Sequence, residues 1–160
     1  MEIIIDKIKY ECRAEENGAY VVENHYKGEV HIPAHISVNG QSIPVIGIAE
    51  DAFYSCDDVT SVTLPDGLQT IENRAFESMN GITQLVIPDT VNYIGEWAFS
   101  DCYNLQQVTL PTGLKDLSAD LFESCNALKQ ITIPQGVKTI GDGCFAACQS
   151  LQRVVLPEGL

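Results

Sequence analysis

Apolar residues recur along this chain at a fixed step of 23 positions. Phe53, Phe76, Phe99, Phe122 and Phe145 form one column; Ile48, Ile71, Ile94, Leu117 and Ile140 form another. Val59, Ile82, Leu105, Leu128 and Leu151 keep the same step, as do Val62, Leu85, Val108, Ile131 and Val154, and Leu64, Ile87, Leu110, Ile133 and Leu156. A position that stays apolar through five successive units points inward in each. One unit cannot bury such a face by itself, so the units must stack, each covered by its neighbours.

Within a unit the polar pattern changes three times. "LQQVTL" (Leu105–Leu110) alternates, with Val108 and Leu110 on one face and Gln107 and Thr109 on the other, which predicts a strand. Prolines at 65, 88, 111, 134 and 157 end it, since proline cannot donate to a ladder. "LPDG", "LPTG", "IPQG" and "LPEG" place proline second and glycine fourth, the order of a type I turn, and Thr90 in the glycine position argues against an obligatory positive φ. A short extended piece follows, as in "VKTIG". Then "RAFESMNGI" places Ala75, Phe76, Met79 and Ile82 on one face, the spacing of one or two helical turns. Each coil is thus expected to be a flattened triangle, its strands stacked in parallel about 4.8 Å from those of the next coil.

The unit resembles the repeat of the BspA-type leucine-rich-repeat family: a spaced "AF", a cysteine, then leucine, a strand and "LP", over about residues 43–160. The resemblance implies a right-handed solenoid of about five 23-residue coils with short helical turns, behind a β-rich N-terminal cap at residues 1–42. "NG" at 17–18 and 39–40 reads as hairpin turns in that cap. The chain reaches "LPEGL" partway through a sixth unit, so a coil cut short or covered by another chain is expected at that end. The family resemblance further implies a bacterial or protist surface or secreted protein associated with adhesion.

Charge narrows the partners. The 160 residues carry 22 acidic and 9 basic side chains, a formal net charge of −13. Nucleic acid and anionic membrane surfaces both call for a basic patch, so neither is expected as a partner. No apolar stretch reaches the roughly 18–20 residues of a membrane-spanning helix, and "MEIIIDKIKYEC" lacks the basic start and cleavage site of a signal peptide. That leaves either an intracellular protein or a leader already removed.

Four of the six cysteines, Cys56, Cys102, Cys125 and Cys148, share a column that Met79 completes, and Cys144 falls in the alanine column. A column accepting methionine wants a medium apolar side chain, so buried free thiols are expected rather than disulfides or zinc ligands. His25, His31 and His35 all lie in the cap, and Pro33 keeps the last two off a common helical face. The repeats contain no histidine and no glycine-rich phosphate loop; "DD" at 57–58 lacks calcium-loop spacing. Neither a catalytic set, a cofactor nor a metal is expected.

Surface positions are left as the candidates. The outward rows read Ser61, Gln84, Gln107, Gln130, Arg153 and Thr63, Val86, Thr109, Thr132, Val155, polar yet almost uncharged in an acidic protein. These side chains either hydrogen-bond along the ladder or offer a flat hydrogen-bonding surface to an extended partner. One unit also places Tyr93, Trp97 and Tyr103 where other units are polar or small, and exposed aromatics anchor protein partners. The expected function is a non-enzymatic module binding a protein or glycan, host-derived for a surface adhesin, with Tyr93, Trp97, Tyr103, Gln84, Gln107, Thr109, Gln130 and Thr132 as contacts. The alternative is a rigid spacer with no ligand. Self-association through an open last coil is a further expectation.

Overall fold

A computed structural model describes residues 1–160. The N-terminal region forms β1 (Glu2–Ile5), β2 (Ile8–Arg13), a 3₁₀ turn (Ala14–Glu16), β3 (Gly18–Val21), β4 (Gly28–His31), β5 (His35–Val38) and β6 (Gln41–Ile48). The coils that follow alternate a longer strand with a two-residue one: β7 (Val59–Thr63), β8 (Thr70–Ile71), β9 (Gln84–Val86), β10 (Tyr93–Ile94), β11 (Gln107–Thr109), β12 (Asp116–Leu117), β13 (Gln130–Thr132), β14 (Thr139–Ile140) and β15 (Arg153–Val155).

These strands build two layers of a solenoid. In the long-strand layer, parallel ladders join β4 to β7, β9 to β11 and β13 to β15. The short-strand layer runs β1-β2-β3-β6-β8-β10, and β12 and β14 pair beyond it. The 23-residue step is the ladder register itself: Gln84 faces Gln107, Thr70 faces Tyr93, Gln130 faces Arg153.

The third side of each coil departs from the sequence expectation, for "RAFESMNGI" is not helical. Asp51, Arg74, Trp97, Asp120 and Gly143 have φ of 53–66°, and Ser55, Ser78, Asp101, Ser124 and Ala147 have φ of 52–59°. Two left-handed residues four positions apart are incompatible with a right-handed helical turn. The backbone instead bonds to the next coil: the Phe53, Phe76, Phe99 and Phe122 amides donate to the Ala75, Ala98, Leu121 and Cys144 carbonyls at 2.8–3.0 Å. A run of such turns sends side chains inward at the same positions a helix would, so periodicity alone cannot separate the two.

The proline turn also begins one residue later than expected. The Leu68, Val91, Leu114 and Val137 amides close onto the carbonyls of Pro65, Pro88, Pro111 and Pro134, so proline is first and glycine third. Gly67 uses a positive φ of 96°, whereas Thr90 stands in the same place without one.

Stacking starts inside the N-terminal segment. Val21 pairs with Ile48, Val30 with Val62, and the Tyr26 ring lies 4.6 Å from that of Phe53, so residues 18–31 trace a first coil. Outside it, β1 and β2 add antiparallel strands to β3 and close that layer. The Asn39–Gly40 hairpin forms as read, with φ of 51° and 78° as a type I′ turn requires. Asp6 and Lys7 make a second turn with both φ positive, which no glycine announced. Arg13 ties this region to the coils through Glu72 at 2.6 Å.

One continuous core of 42 buried residues runs down the stack. Its spine is the phenylalanine column, with successive rings 5.1, 5.3, 5.5 and 5.8 Å apart and nearly parallel. All six cysteines are free thiols. Those of Cys102, Cys125 and Cys148 donate to the Phe76, Phe99 and Phe122 carbonyls one coil earlier, at 3.0–3.2 Å. The column therefore supplies a donor as well as an apolar body.

Candidate functional site

Two sets of polar side chains behave differently. At the corners of the coils they hold the stack together. Carbonyl or carboxylate oxygens of Asp57, Asn73, Asn80, Asp89 and Gln135 accept the amides of Asn80, Glu96, Tyr103, Thr112 and Glu158, each one coil later, at 2.9–3.4 Å. Asp57 and Asp89 are thus structural acids. Asp57 of the "DD" pair belongs to this set, whereas Asp58 meets Lys27 at 3.2 Å in an exposed ion pair.

On the long-strand face the outward rows are free. Gln84, Gln107, Thr109, Gln130 and Thr132 are exposed, and their side chains make no hydrogen bond within the molecule, in contrast to the corner side chains. Side-chain bonding along this ladder, the structural alternative for these rows, does not occur. Strand alternation turns Leu85 and Ile131 into the core and leaves these five facing solvent.

The face is not flat. β11 and β13 share no ladder, each pairing with its other neighbour. Between them lies a shallow depression of about 400 Å³, lined by Gln107, Thr109, Gln130 and Thr132 over Val108 and Ile131. No charged residue lines it. Uncharged donors and acceptors above an apolar floor suit hydrogen bonding to neutral groups, such as peptide amides or sugar hydroxyls. They are unsuited to holding an ion.

The aromatic residues do not gather there. Tyr93, Trp97 and Tyr103 are 49%, 37% and 46% exposed. Tyr93 stands on β10 in the short-strand layer, beside Glu50, Glu72 and Asn73. Trp97 occupies a left-handed corner, and Tyr103 follows the second corner, its hydroxyl donating to Asp101 at 3.1 Å. That bond holds the Tyr103 phenol above its ordinary pKa. No two of the three rings pack together. Tyr54, unremarked in the sequence, is an exposed aromatic too, with the Arg74 guanidinium 5.2 Å above its ring.

Stacked parallel strands, inward leucine-type columns and a cap define this molecule as a leucine-rich-repeat solenoid. A family model described as "BspA type Leucine rich repeat region" matches six copies over residues 46–160. The chain belongs to that family. No curated protein matches it significantly. It is similar to a leucine-rich repeat protein of Bacteroides capillosus, with 27% identity, 96% of both chains covered and a TM-score of 0.61. The same fold occurs in the pneumococcal vaccine antigen PcpA, with 24% identity, 99% of this chain and 50% of that one covered, and a TM-score of 0.73. It occurs also in a leucine-rich cell surface protein of Faecalibacterium prausnitzii, with 22% identity, 96% and 54% covered, and a TM-score of 0.55. This chain thus spans about half the length of the latter two.

Proposed function

We propose that this chain is a non-enzymatic binding module at a bacterial cell surface. Its long-strand face takes up a neutral, extended partner, a protein segment or a glycan presented by a host or neighbouring cell. What supports this reading is the contrast between the corner columns, whose polar groups are bonded to the next coil, and the outward rows, whose polar groups are free. The depression between β11 and β13 adds a place where those free groups converge. The surface setting rests on the similar Faecalibacterium protein, described as a cell surface protein.

The test is binding of the 160-residue chain to extracellular-matrix proteins and mucin-type glycans, beside two folded variants. One is Gln107→Arg/Thr109→Val/Gln130→Arg/Thr132→Val, which uses residues the same rows already accept at Arg153, Val86 and Val155. The other is Tyr93→Ala/Trp97→Ala/Tyr103→Ala. Loss of at least 10-fold in affinity in the first variant and little change in the second is the expected result. The reverse pattern would move the site to the aromatic coil. Binding to no member of the panel would favour the spacer.

A further inference from the structure

The long-strand layer has an edge at its N-terminal end that the β1–β2 pair does not cover. β1 and β2 close the short-strand layer, but β4 pairs with β7 alone. Gly28 and Ile32 donate to the Asp58 and Thr63 carbonyls, at 2.8 and 3.1 Å. Alternation along a parallel strand then directs the N–H and C=O groups of Glu29 and His31 away from β7. Both residues line a groove of about 770 Å³, together with the Asp6–Lys7 turn, His25 and Lys27. Ile8, Tyr26 and Val30 line the same groove, and all three are otherwise buried. The volume falls within the roughly 300–1,000 Å³ usual for ligand clefts.

We propose that this edge is a second binding site, distinct from the long-strand face, that takes an extended peptide segment of a partner protein as an added parallel strand. Main-chain bonds to Glu29 and His31 supply affinity, as in other strand-addition modes. The rows of the sheet set the sequence preference. The peptide residue next to Val30 continues the row Val30, Val62, Leu85, Val108, Ile131 and is apolar. The residue next to Glu29 meets an exposed carboxylate, 3.8 Å from the His31 imidazole, against which a basic side chain is favoured and an acidic one repelled. The fitting segment thus reads basic, then β-branched or aliphatic.

The test uses a display library of random heptapeptides selected on the whole chain, then re-measured as soluble peptides by fluorescence polarisation. Enriched peptides are expected to share the basic–aliphatic pair. His31→Pro removes a donor that points away from β7 while sparing the β7 ladder, and an edge strand tolerates proline; it should weaken binding at least 10-fold with an unchanged melting temperature. Glu29→Lys should invert the charge preference, a readout that survives if the proline variant fails to fold. The proposal is overturned if nothing enriches or if binding is indifferent to both changes. It is equally overturned if binding is lost in the Gln107/Thr109/Gln130/Thr132 variant instead, or if sedimentation shows the edge filled by a second copy.

Discussion

Single positions in this chain are chosen by where they fall in the coil. The buried cysteines show it best. Burial pushes the Cys102 and Cys144 thiols up to about 12 and raises that of Cys125 further, because an apolar column disfavours the thiolate. Thiolates are the reactive form, so these sulfurs are inert in the folded protein. At pH 8, iodoacetamide should leave Cys102, Cys125 and Cys144 unmodified until denaturant is added, as read by peptide mass spectrometry. Rapid native-state labelling of Cys125 would contradict this. In the unfolded chain these thiols ionise near 8.5. The folded state therefore holds more protons above that pH, and stability falls as pH rises from about 8.5 towards 12. Trp97 is the opposite case. A left-handed position filled elsewhere by Asp51, Arg74, Asp120 or Gly143 here holds a bulky ring, for which the conformation is unfavourable. Nothing in the structure explains its choice.

At the scale of the element, the inward columns, the long strands and the Asn39–Gly40 hairpin were all legible in the sequence. Each depends on a local period or a turn chemistry that only one geometry satisfies. The third side was not. Helical spacing at Ala75, Phe76 and Met79 is shared by a run of left-handed corners, and the residues there, Asp51, Arg74, Trp97 and Ser78, carry no glycine signal. The corner bonds were hidden too: they keep the 23-residue step, but their columns mix residue types, as Asp57, Asn80 and Tyr103 do, so no one side chain marks them. Asn80 illustrates them, its side-chain oxygen accepting the Tyr103 backbone amide at 2.9 Å while its own backbone N–H donates to Asp57. Asn80→Ala should cost about 0.5–1.5 kcal/mol, the net worth of one hydrogen bond, since the Tyr103 amide is exposed and keeps the Asp101 carbonyl as a second acceptor. Asn80→Asp, which keeps the acceptor, should cost less. Equal losses in urea unfolding would show that the bond contributes nothing.

For the whole molecule, the division of labour is between what faces in and what faces out. Inward columns and corner bonds hold each coil to its neighbours, and the outward rows of the long-strand face are spared that task. Among the proposed contacts, Gln107, Thr109, Gln130 and Thr132 come together in one depression, with Gln84 one coil away in the same row. The aromatic residues spread over three parts of the coil. Sequence spacing placed them in one unit but could not tell its sides apart. The edge of β4 went unseen because His25, His31 and Glu29 gain meaning only once the β1–β2 pair is seen to leave that strand open.

The most direct measurement is equilibrium urea unfolding of three proteins: the parent, Gln107→Arg/Thr109→Val/Gln130→Arg/Thr132→Val, and Phe99→Ala. If the outward rows are free for binding, the fourfold variant unfolds within about 0.5 kcal/mol of the parent. Phe99→Ala, by removing one ring from the stacked spine, loses about 3–5 kcal/mol. A fourfold variant destabilised as much as Phe99→Ala would show that the Gln/Thr face serves the fold, and the binding surface proposed here would have to be given up.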